Sequence, residues 1–301
     1  MNTDINISII IPHFNSIDSL EKLLQSIGKH ADVETIIVDD KSTKELKELD
    51  SCRQKYSSNN FIFLMNTTHK KGAGVSRNIG LHRAKGKWLL FADADDIFIE
   101  NWYLVVKDYI NSSSDIVYFP PTGRGGRQIP YVRLVIDYFQ HKSGAENRLR
   151  FQFFPPWSKL IRRSLVEERN ITFDETLYAN DVMFSTKCGL LAQKIAANKH
   201  PIYCLQERAN SLTKNKNFDA QYIRSEVICR TYKFLQTNLS ADVFKTCYVC
   251  NAPLADLWTF IRGRYSLNQI WNIYQLYKSY HIPVFVSSNI KKIISYLWNH
   301  I

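Results

Sequence analysis

Ile7-Ser-Ile-Ile-Ile-Pro-His13 is the stretch whose reading decides the rest of the chain. A continuous β-branched run with no polar face, stopped by Pro12, reads as a strand covered on both sides. Outward from it, Ser16–Lys29 sets Leu20, Leu23, Leu24 and Ile27 at helical spacing. Thr35-Ile-Ile-Val38 is a second apolar strand, ending in Asp39 and Asp40. The pattern then predicts a polar helix over 44–56, a strand over 61–64 and a helix over 74–84. Trp88-Leu-Leu-Phe91 is a fourth strand, again running into acids at Asp93, Asp95 and Asp96. This alternation predicts an α/β fold with a mostly parallel central sheet flanked by helices.

In such sheets ligands bind beyond the carboxyl ends of the strands. Here those ends carry His13 and Asn15, then Asp39 and Asp40, then Asp93 and Asp95. Any one acid can be a turn former or a helix cap. Acids at two strand ends on one rim point instead to a shared site. Asp-x-Asp in a straight strand sends its side chains to opposite faces. At a strand end the backbone turns, so both carboxylates can converge. Two carboxylates converging at an open rim repel each other and favour a hard divalent cation such as Mg²⁺ or Mn²⁺, which also binds phosphate oxygens.

The 301 residues suffice for one large domain with an appendage, and 45% hydrophobic content is ordinary for a globular chain. The net charge of +11 is uneven: residues 1–120 hold 14 Lys and Arg against 16 Asp and Glu, whereas 201–301 hold 12 against 5. A basic second half suits an anionic lipid or a phosphorylated substrate, or is simply a solvated surface. With charge alone and no recognition motif, nucleic acid is not an expected partner. Six cysteines are scattered, and Cys247-x-x-Cys250 stands alone, which favours buried thiols over zinc. No signal peptide precedes the first strand and no apolar run is long enough to span a bilayer, so a cytoplasmic setting is expected.

Between Pro120 and Pro130 the Gly- and Arg-rich composition predicts a cationic loop. From about residue 216 the pattern is helical. Ile290, Ile293, Ile294, Leu297, Trp298 and Ile301 form one apolar stripe beside Lys291 and Lys292, which either packs on the protein or rests on a membrane surface. Two regions are expected: 1–215, carrying the site, and a helical extension, 216–301, associated with membrane or acceptor.

Four ordered segments carry a resemblance. Ile7-Ser-Ile-Ile-Ile-Pro-His-Phe-Asn15, Ile36-Ile-Val-Asp-Asp-Lys-Ser42, Gly74-Val-Ser-Arg-Asn-Ile-Gly80 and Phe91-Ala-Asp-Ala-Asp-Asp96 together resemble the family 2 glycosyltransferases. The resemblance covers about residues 5–215. It implies the Rossmann-like GT-A fold and inverting transfer of a sugar from a nucleotide diphosphate, usually UDP, with Mn²⁺ or Mg²⁺. Carried onto this chain, it places Pro12, Phe14 and Asn15 in the nucleotide pocket. Asp40 or its neighbour Asp39 would accept from the uracil imide. Arg77 would reach base or phosphates while Asn78 holds the loop. Asp93 and Ala94 would meet the donor, with Asp95 and Asp93 as metal ligands. His13 and Lys41 depart from the usual pattern and weaken the assignment of the base.

An inverting displacement needs a general base for the acceptor hydroxyl. The resemblance puts one in an acidic pair opening a helix. Here Ile171-Thr-Phe-Asp-Glu175 precedes Ala179-Asn-Asp181, so Asp181 matches the base and Asn180 replaces a Glu. The alternative is that Asp181 merely caps the helix. Pro156-Trp-Ser-Lys159 and Glu207-Arg208 resemble further family segments, making Trp157, Lys159 and Arg208 candidates for acceptor or phosphate contact; core packing of Trp157 competes. The acceptor implied is a glycan or lipid-linked sugar in bacterial surface-polysaccharide assembly of the capsule or O-antigen type, at the inner membrane face. A nicotinamide-binding enzyme is disfavoured because Gly72-Ala-Gly74 lacks the third glycine and follows the third strand. A nucleotidyltransferase of related fold and a silent nucleotide- or glycan-binding module remain alternatives.

Overall fold

β1 (Ile7–His13) is buried from end to end except at Pro12, as its run of isoleucines requires. The computed structural model describes residues 4–57, 60–207, 215–247, 252–263 and 265–284. The chain divides into two compact units, Met1–Asn210 and Ser211–Ile301.

In the first unit β1 pairs in parallel with β2 (Val33–Asp39), which pairs in parallel with β3 (Phe61–Met65). On its other side β1 pairs in parallel with β4 (Trp88–Phe91). The links are α1 (Ile17–Ile27), α2 (Leu46–Lys55) and α3 (Ala73–Arg83). The predicted elements therefore form where the periodicity puts them, with α1 burying Ile17, Leu20, Leu23, Leu24 and Ile27. β8 (Lys159–Arg162) adds antiparallel to β4, followed by β6 (Ile116–Tyr118) and β9 (Ile195–Ala197). The seven-stranded order is β3-β2-β1-β4-β8-β6-β9. Connections leave β1 in both directions, so the crevice between the carboxyl ends of β1 and β4 is a topological switch point.

A small second sheet crosses the rim: β5 (Ile97–Phe98), β10 (Tyr203–Leu205) and β7 (Thr122–Gly123), with β10 in the middle. It sets Tyr203 opposite Phe98, just past the acidic turn. Where the sequence reads a plain loop over 120–130, β7 forms and α5 (Ile129–Phe139) begins, with Pro130 in its first turn. That is the helix position a proline tolerates. α4 (Trp102–Lys107), α6 (Ala145–Gln152), α7 (Arg163–Glu168) and α8 (Val182–Leu191) complete the unit.

Polar groups inside the sheet are matched. Ser8 Oγ donates to Glu34 at 2.6 Å and accepts the Gly86 amide at 2.8 Å. The turn into β4 lies so close to β1 that a Cβ on Gly86 would stand 2.5 Å from the Ser8 nitrogen.

The second unit contains α9 (Phe218–Asn238), α10 (Ala241–Thr246), α11 (Ala252–Arg262) and α12 (Leu267–Ser279). Asp256 of α11 accepts from Ser225 of α9 and, at 2.9 Å, from the Tyr277 hydroxyl of α12, so one half-buried carboxylate ties three helices. Burial pushes that carboxyl above the usual range. Cys52, Cys188, Cys204, Cys229 and Cys247 are free thiols. No helix among the described residues is long and apolar enough to cross a membrane. Cys250, Arg208 and the apolar stripe of 290–301 lie outside the described residues.

Gly86→Ala is expected to lower unfolding stability by about 1–3 kcal/mol in denaturant titration, because backbone rather than a flexible side chain occupies the space of the new methyl. An unchanged midpoint would contradict the close approach.

Candidate functional site

β1 and β2 end side by side, and their terminal side chains build the first wall. His13 Nδ1 pairs with Asp39 Oδ1 at 2.9 Å, while Nε2 accepts the Ser16 amide at 3.3 Å. An accepting Nε2 assigns the proton to Nδ1, so His13 donates to Asp39. Ser42 gives Asp39 two more bonds, from Oγ at 2.6 Å and the amide at 3.1 Å. Burial alone would raise the Asp39 carboxyl; the bonds from His13 and Ser42 outweigh it and hold the group below its ordinary range. Asp40 accepts from Asn66 Nδ2 at 2.6 Å and from the Gly72 amide at 2.7 Å. Both acids thus position loops, and the strand-end motif owes its shape to them. Each carboxylate oxygen has a second lone pair, so these bonds leave Asp40 able to accept from a ligand.

Asn15 takes a positive φ of 48°, and its side-chain oxygen accepts the amides of Thr43 and Lys44 at 2.8 and 3.0 Å. Phe14 beside it is 47% exposed, with Lys71 Nζ 4.7 Å from its ring centre. Pro12 is half-buried at the same rim. An aromatic face open to solvent under a loop held by Asn15 is a stacking surface for a planar ligand.

The acidic turn lies beyond β4. Asp93, Asp95 and Asp96 bring carboxylate oxygens within 4.8 Å of one another. Asp93 and Asp95 are partly exposed, whereas Ala94 and Asp96 are buried. Burial, with Asp93 and Asp95 alongside, pushes Asp96 up to about 8 against bonds from Gln206 and Tyr203. Crowded oxygens of this kind fit a hard divalent cation, for which partly open carboxylates are the usual ligands.

Arg77 of α3 joins this turn to the opposite wall. Its Nη2 donates to Asp93 Oδ1 and its Nη1 to Asn180 Oδ1, each at 2.7 Å. The side chain is 6% exposed, and its guanidinium lies 5.4 Å from the Phe173 ring centre. Asn78, one residue on, exchanges two bonds with the Phe173 backbone at 3.0 and 2.8 Å. Two adjacent residues of α3 therefore hold the 173–181 segment against the acidic turn.

Asp181 follows Asn180 at the start of α8 and makes no side-chain cap hydrogen bond there. It keeps some solvent access but is closely surrounded. Dehydration raises its carboxyl, with Arg77 and Lys159 opposing and Asp93 reinforcing the shift. Tyr131 of α5 also senses the Asp181 charge. Asp181 is thus a carboxyl of raised basicity within electrostatic reach of Arg77 and Asp93.

Trp157 and Lys159 are core residues in this structure, 4% and 2% exposed, and do not line an open face. Trp157 stacks on Tyr203. The Lys159 amine donates to Ser185 Oγ at 2.9 Å and to the Phe153 carbonyl, and burial pushes it down to about 7. Sequence pattern alone missed Tyr203, Asn66 and Tyr131; each sits in a short or unremarkable segment and acquires its place only through chain-distant pairing.

Residues 8–169 match the family model described as glycosyl transferase family 2. Over 202 residues the chain is 32% identical to the poly(ribitol-phosphate) beta-glucosyltransferase of Bacillus spizizenii, covering 64% of this chain and 31% of that protein. It is 28% identical over 203 residues to the poly(ribitol-phosphate) beta-N-acetylglucosaminyltransferase TarS of Staphylococcus aureus, covering 65% and 34%. The chain thus spans about a third of the length of these curated relatives. The structure of S. aureus TarS 1–349 in complex with UDP-GlcNAc superposes with a TM-score of 0.71 at 20% identity, covering 89% of this chain and 79% of that one. Mannosyltransferase PcManGT from Pyrobaculum calidifontis, in complex with GDP-Man and Mn²⁺, gives 0.61 at 17% identity, covering 93% and 83%. The fold is that of these proteins, the GT-A arrangement.

Arg77→Lys keeps the charge but cannot reach two acceptors with a fork. Urea unfolding is expected to show a loss of about 1–3 kcal/mol, below the full cost of breaking a buried pair because Asp93 is part-exposed. Wild-type stability in that variant would show that the bridge carries no energy.

Proposed function

We propose, from the premise that the chain belongs to glycosyl transferase family 2, that it transfers a sugar with inversion from a nucleotide diphosphate, UDP foremost, to an acceptor hydroxyl. The observation that carries this reading is the Arg77 bridge. One guanidinium contacts Asp93 of the acidic turn and Asn180 beside Asp181, which supports a reading in which a phosphate-facing wall and a basic carboxylate serve one site.

The residues divide the work. Phe14, Pro12 and Asn15 form the rim that receives the base, with Asp40, or Asp39, accepting from it. Asp93 and Ala94 meet the donor, and Asp95 with Asp93 would hold Mn²⁺ or Mg²⁺. Such an ion would neutralise charge on the departing diphosphate. Arg77 keeps Asp93 oriented and adds positive potential to the wall. Asp181 removes the acceptor hydroxyl proton while that oxygen attacks the anomeric carbon and the bond to the diphosphate breaks. The raised carboxyl makes Asp181 a better base than an ordinary aspartate. Lys159, through its charge, keeps that rise within bounds.

The acceptor proposed is a glycan or lipid-linked chain of a bacterial surface polysaccharide, built at the inner face of the cytoplasmic membrane. The basic balance of residues 121–170, ten Lys and Arg against four acids, favours an anionic acceptor. The acceptor names of the two relatives, both poly(ribitol-phosphate), agree in chemical type. Residues 216–301 are proposed to serve this side of the reaction.

The test is incubation with Mn²⁺ and a panel of nucleotide sugars, following nucleotide diphosphate release and the anomeric configuration of the product. Pyrophosphate release would indicate a nucleotidyltransferase, and donor binding without turnover on any acceptor a silent module. Asp181→Asn is expected to reduce kcat by at least about a hundredfold, with donor affinity within about twofold. Loss of donor binding would assign Asp181 to the donor wall. In the wild type the ionised base is the active form, so kcat should fall as pH drops through an apparent pKa above the ordinary aspartate range; a midpoint at or below that range would remove Asp181 from the role. Asp95→Ala should abolish metal-dependent nucleotide binding in calorimetry, and retained binding would contradict its place at the ion.

A further inference from the structure

Asp96 is the third acid of the cluster and the most enclosed, 1% exposed. Its oxygens are both engaged by protein. Oδ1 accepts the Gln206 amide at 2.8 Å, and Oδ2 accepts the Tyr203 hydroxyl at 3.0 Å. The Tyr203 oxygen in turn accepts the Asp93 amide at 2.9 Å. The chain of donors runs one way, from the Asp93 main chain through the phenol to Asp96. Each link polarises the next, so the bond from the phenol to Asp96 strengthens the hold on the Asp93 amide.

The phenol that relays this hold cannot swing aside. Tyr203 is fully buried; its ring lies parallel to Trp157 at 5.8 Å and edge-on to Phe98 at 5.4 Å. Antiparallel pairing of β10 with β5 fixes its backbone opposite Phe98. Within the turn the Asp96 amide donates to the Asp93 carbonyl at 3.1 Å, and from outside it Arg77 holds the Asp93 carboxylate at 2.7 Å. The bond from the Asp93 amide to Tyr203 adds a main-chain hold against repulsion between the converging carboxylates of Asp93 and Asp95.

We propose that Asp96 and Tyr203 are positioning residues that clamp the Asp93–Asp96 turn, with Asp96 acting as an anchor and not as a third cation ligand. The inference rests on the reading of Asp93 and Asp95 as the donor and metal side of the site. It also accounts for Trp157, whose place in the core is to brace the clamp. Because the clamp grips Asp93 by its amide, the Asp93 carboxylate stays available to Arg77 and to the donor.

The experiment measures Mn²⁺-dependent binding of UDP by calorimetry, together with amide hydrogen exchange at Asp93, in the full chain. Four variants are compared with the wild type: Asp95→Ala, Asp96→Asn, Tyr203→Phe, and the last two combined. Tyr203→Phe keeps the ring and its stacking and removes only the hydroxyl. It is expected to weaken metal-dependent UDP binding about tenfold, within the range for partners that orient ligating groups, and to speed exchange at Asp93. Asp96→Asn should give a similar partial loss, and the double variant should be no worse than the weaker single one, since both break one chain. Wild-type affinity and wild-type Asp93 exchange in Tyr203→Phe would overturn the clamp. So would an Asp96→Asn loss as complete as that of Asp95→Ala with Asp93 still protected, which is the signature of a direct ligand. Unchanged metal-dependent binding in Asp95→Ala would instead overturn the donor-site reading, and the clamp with it. If Tyr203→Phe does not fold, Asp96→Asn alone decides between partial loss with fast exchange and complete loss with slow exchange.

Discussion

A buried guanidinium fixes in place whatever accepts from it, and the two acceptors of Arg77 tie the halves of the candidate site together. Its two terminal nitrogens reach Asp93 and Asn180, and its face meets Phe173. Removing Asp93 would leave a dehydrated charge uncompensated and removing Asn180 would leave a buried donor unpaired, so the turn after β4 and the start of α8 are held at one distance by a rigid fork. α3 can bring that fork inward only because it lacks side chains where it meets its neighbours. A Cβ on Gly74 would lie 2.0 Å from the Asp174 carbonyl, and one on Gly80 would lie 2.5 Å from the Ile10 side chain. The segment from Gly74 to Gly80 is thus a helix shaped for close approach on two sides, carrying one cation between them.

The acids around this bridge show how far surroundings separate identical side chains. Asp39, fed by His13 and Ser42, is held below its ordinary range. Asp96, enclosed beside two other acids, and Asp181, dehydrated near Arg77, are both raised. Asp39 accordingly keeps its charge for structure, while Asp96 and Asp181 are the more basic groups. Pairs of carboxyl groups driven in opposite directions are what acid–base and cation chemistry require of a cleft. The neutral Asn180, standing where the resemblance expects Glu, fits this pattern. It accepts from Arg77 without adding another negative charge next to Asp181.

Much of this arrangement was legible in the chain because it is local. A strand buried on both faces must be apolar, so Ile7–Ile11, Thr35–Val38 and Trp88–Phe91 identify themselves. Acids that end such strands must lie on the carboxyl-end rim of the sheet, which located Asp39, Asp40, Asp93 and Asp95 there. The helix-to-strand alternation then predicted the parallel core, whereas its switch point follows from the strand order in the folded sheet. The second half of the sheet was less visible. Its strands β6, β8 and β9 are three or four residues long and run in mixed directions, too short for a period to register.

Sequence by itself determined which residue types stand at the strand ends and therefore the class of chemistry the rim can support. Tertiary structure alone decided which of those residues are exposed and which are engaged. Trp157 and Lys159 carry groups suited to sugar and phosphate, yet packing against Tyr203, Phe153 and Ser185 encloses them. Tyr203 carries no local signal and still grips the acidic turn, because pairing in the small second sheet delivers it there. The physical reason is range. Strand and helix patterns arise from neighbours within a few residues, whereas burial and hydrogen-bond partnership depend on segments such as 93, 181 and 203 that meet only when the whole unit has folded.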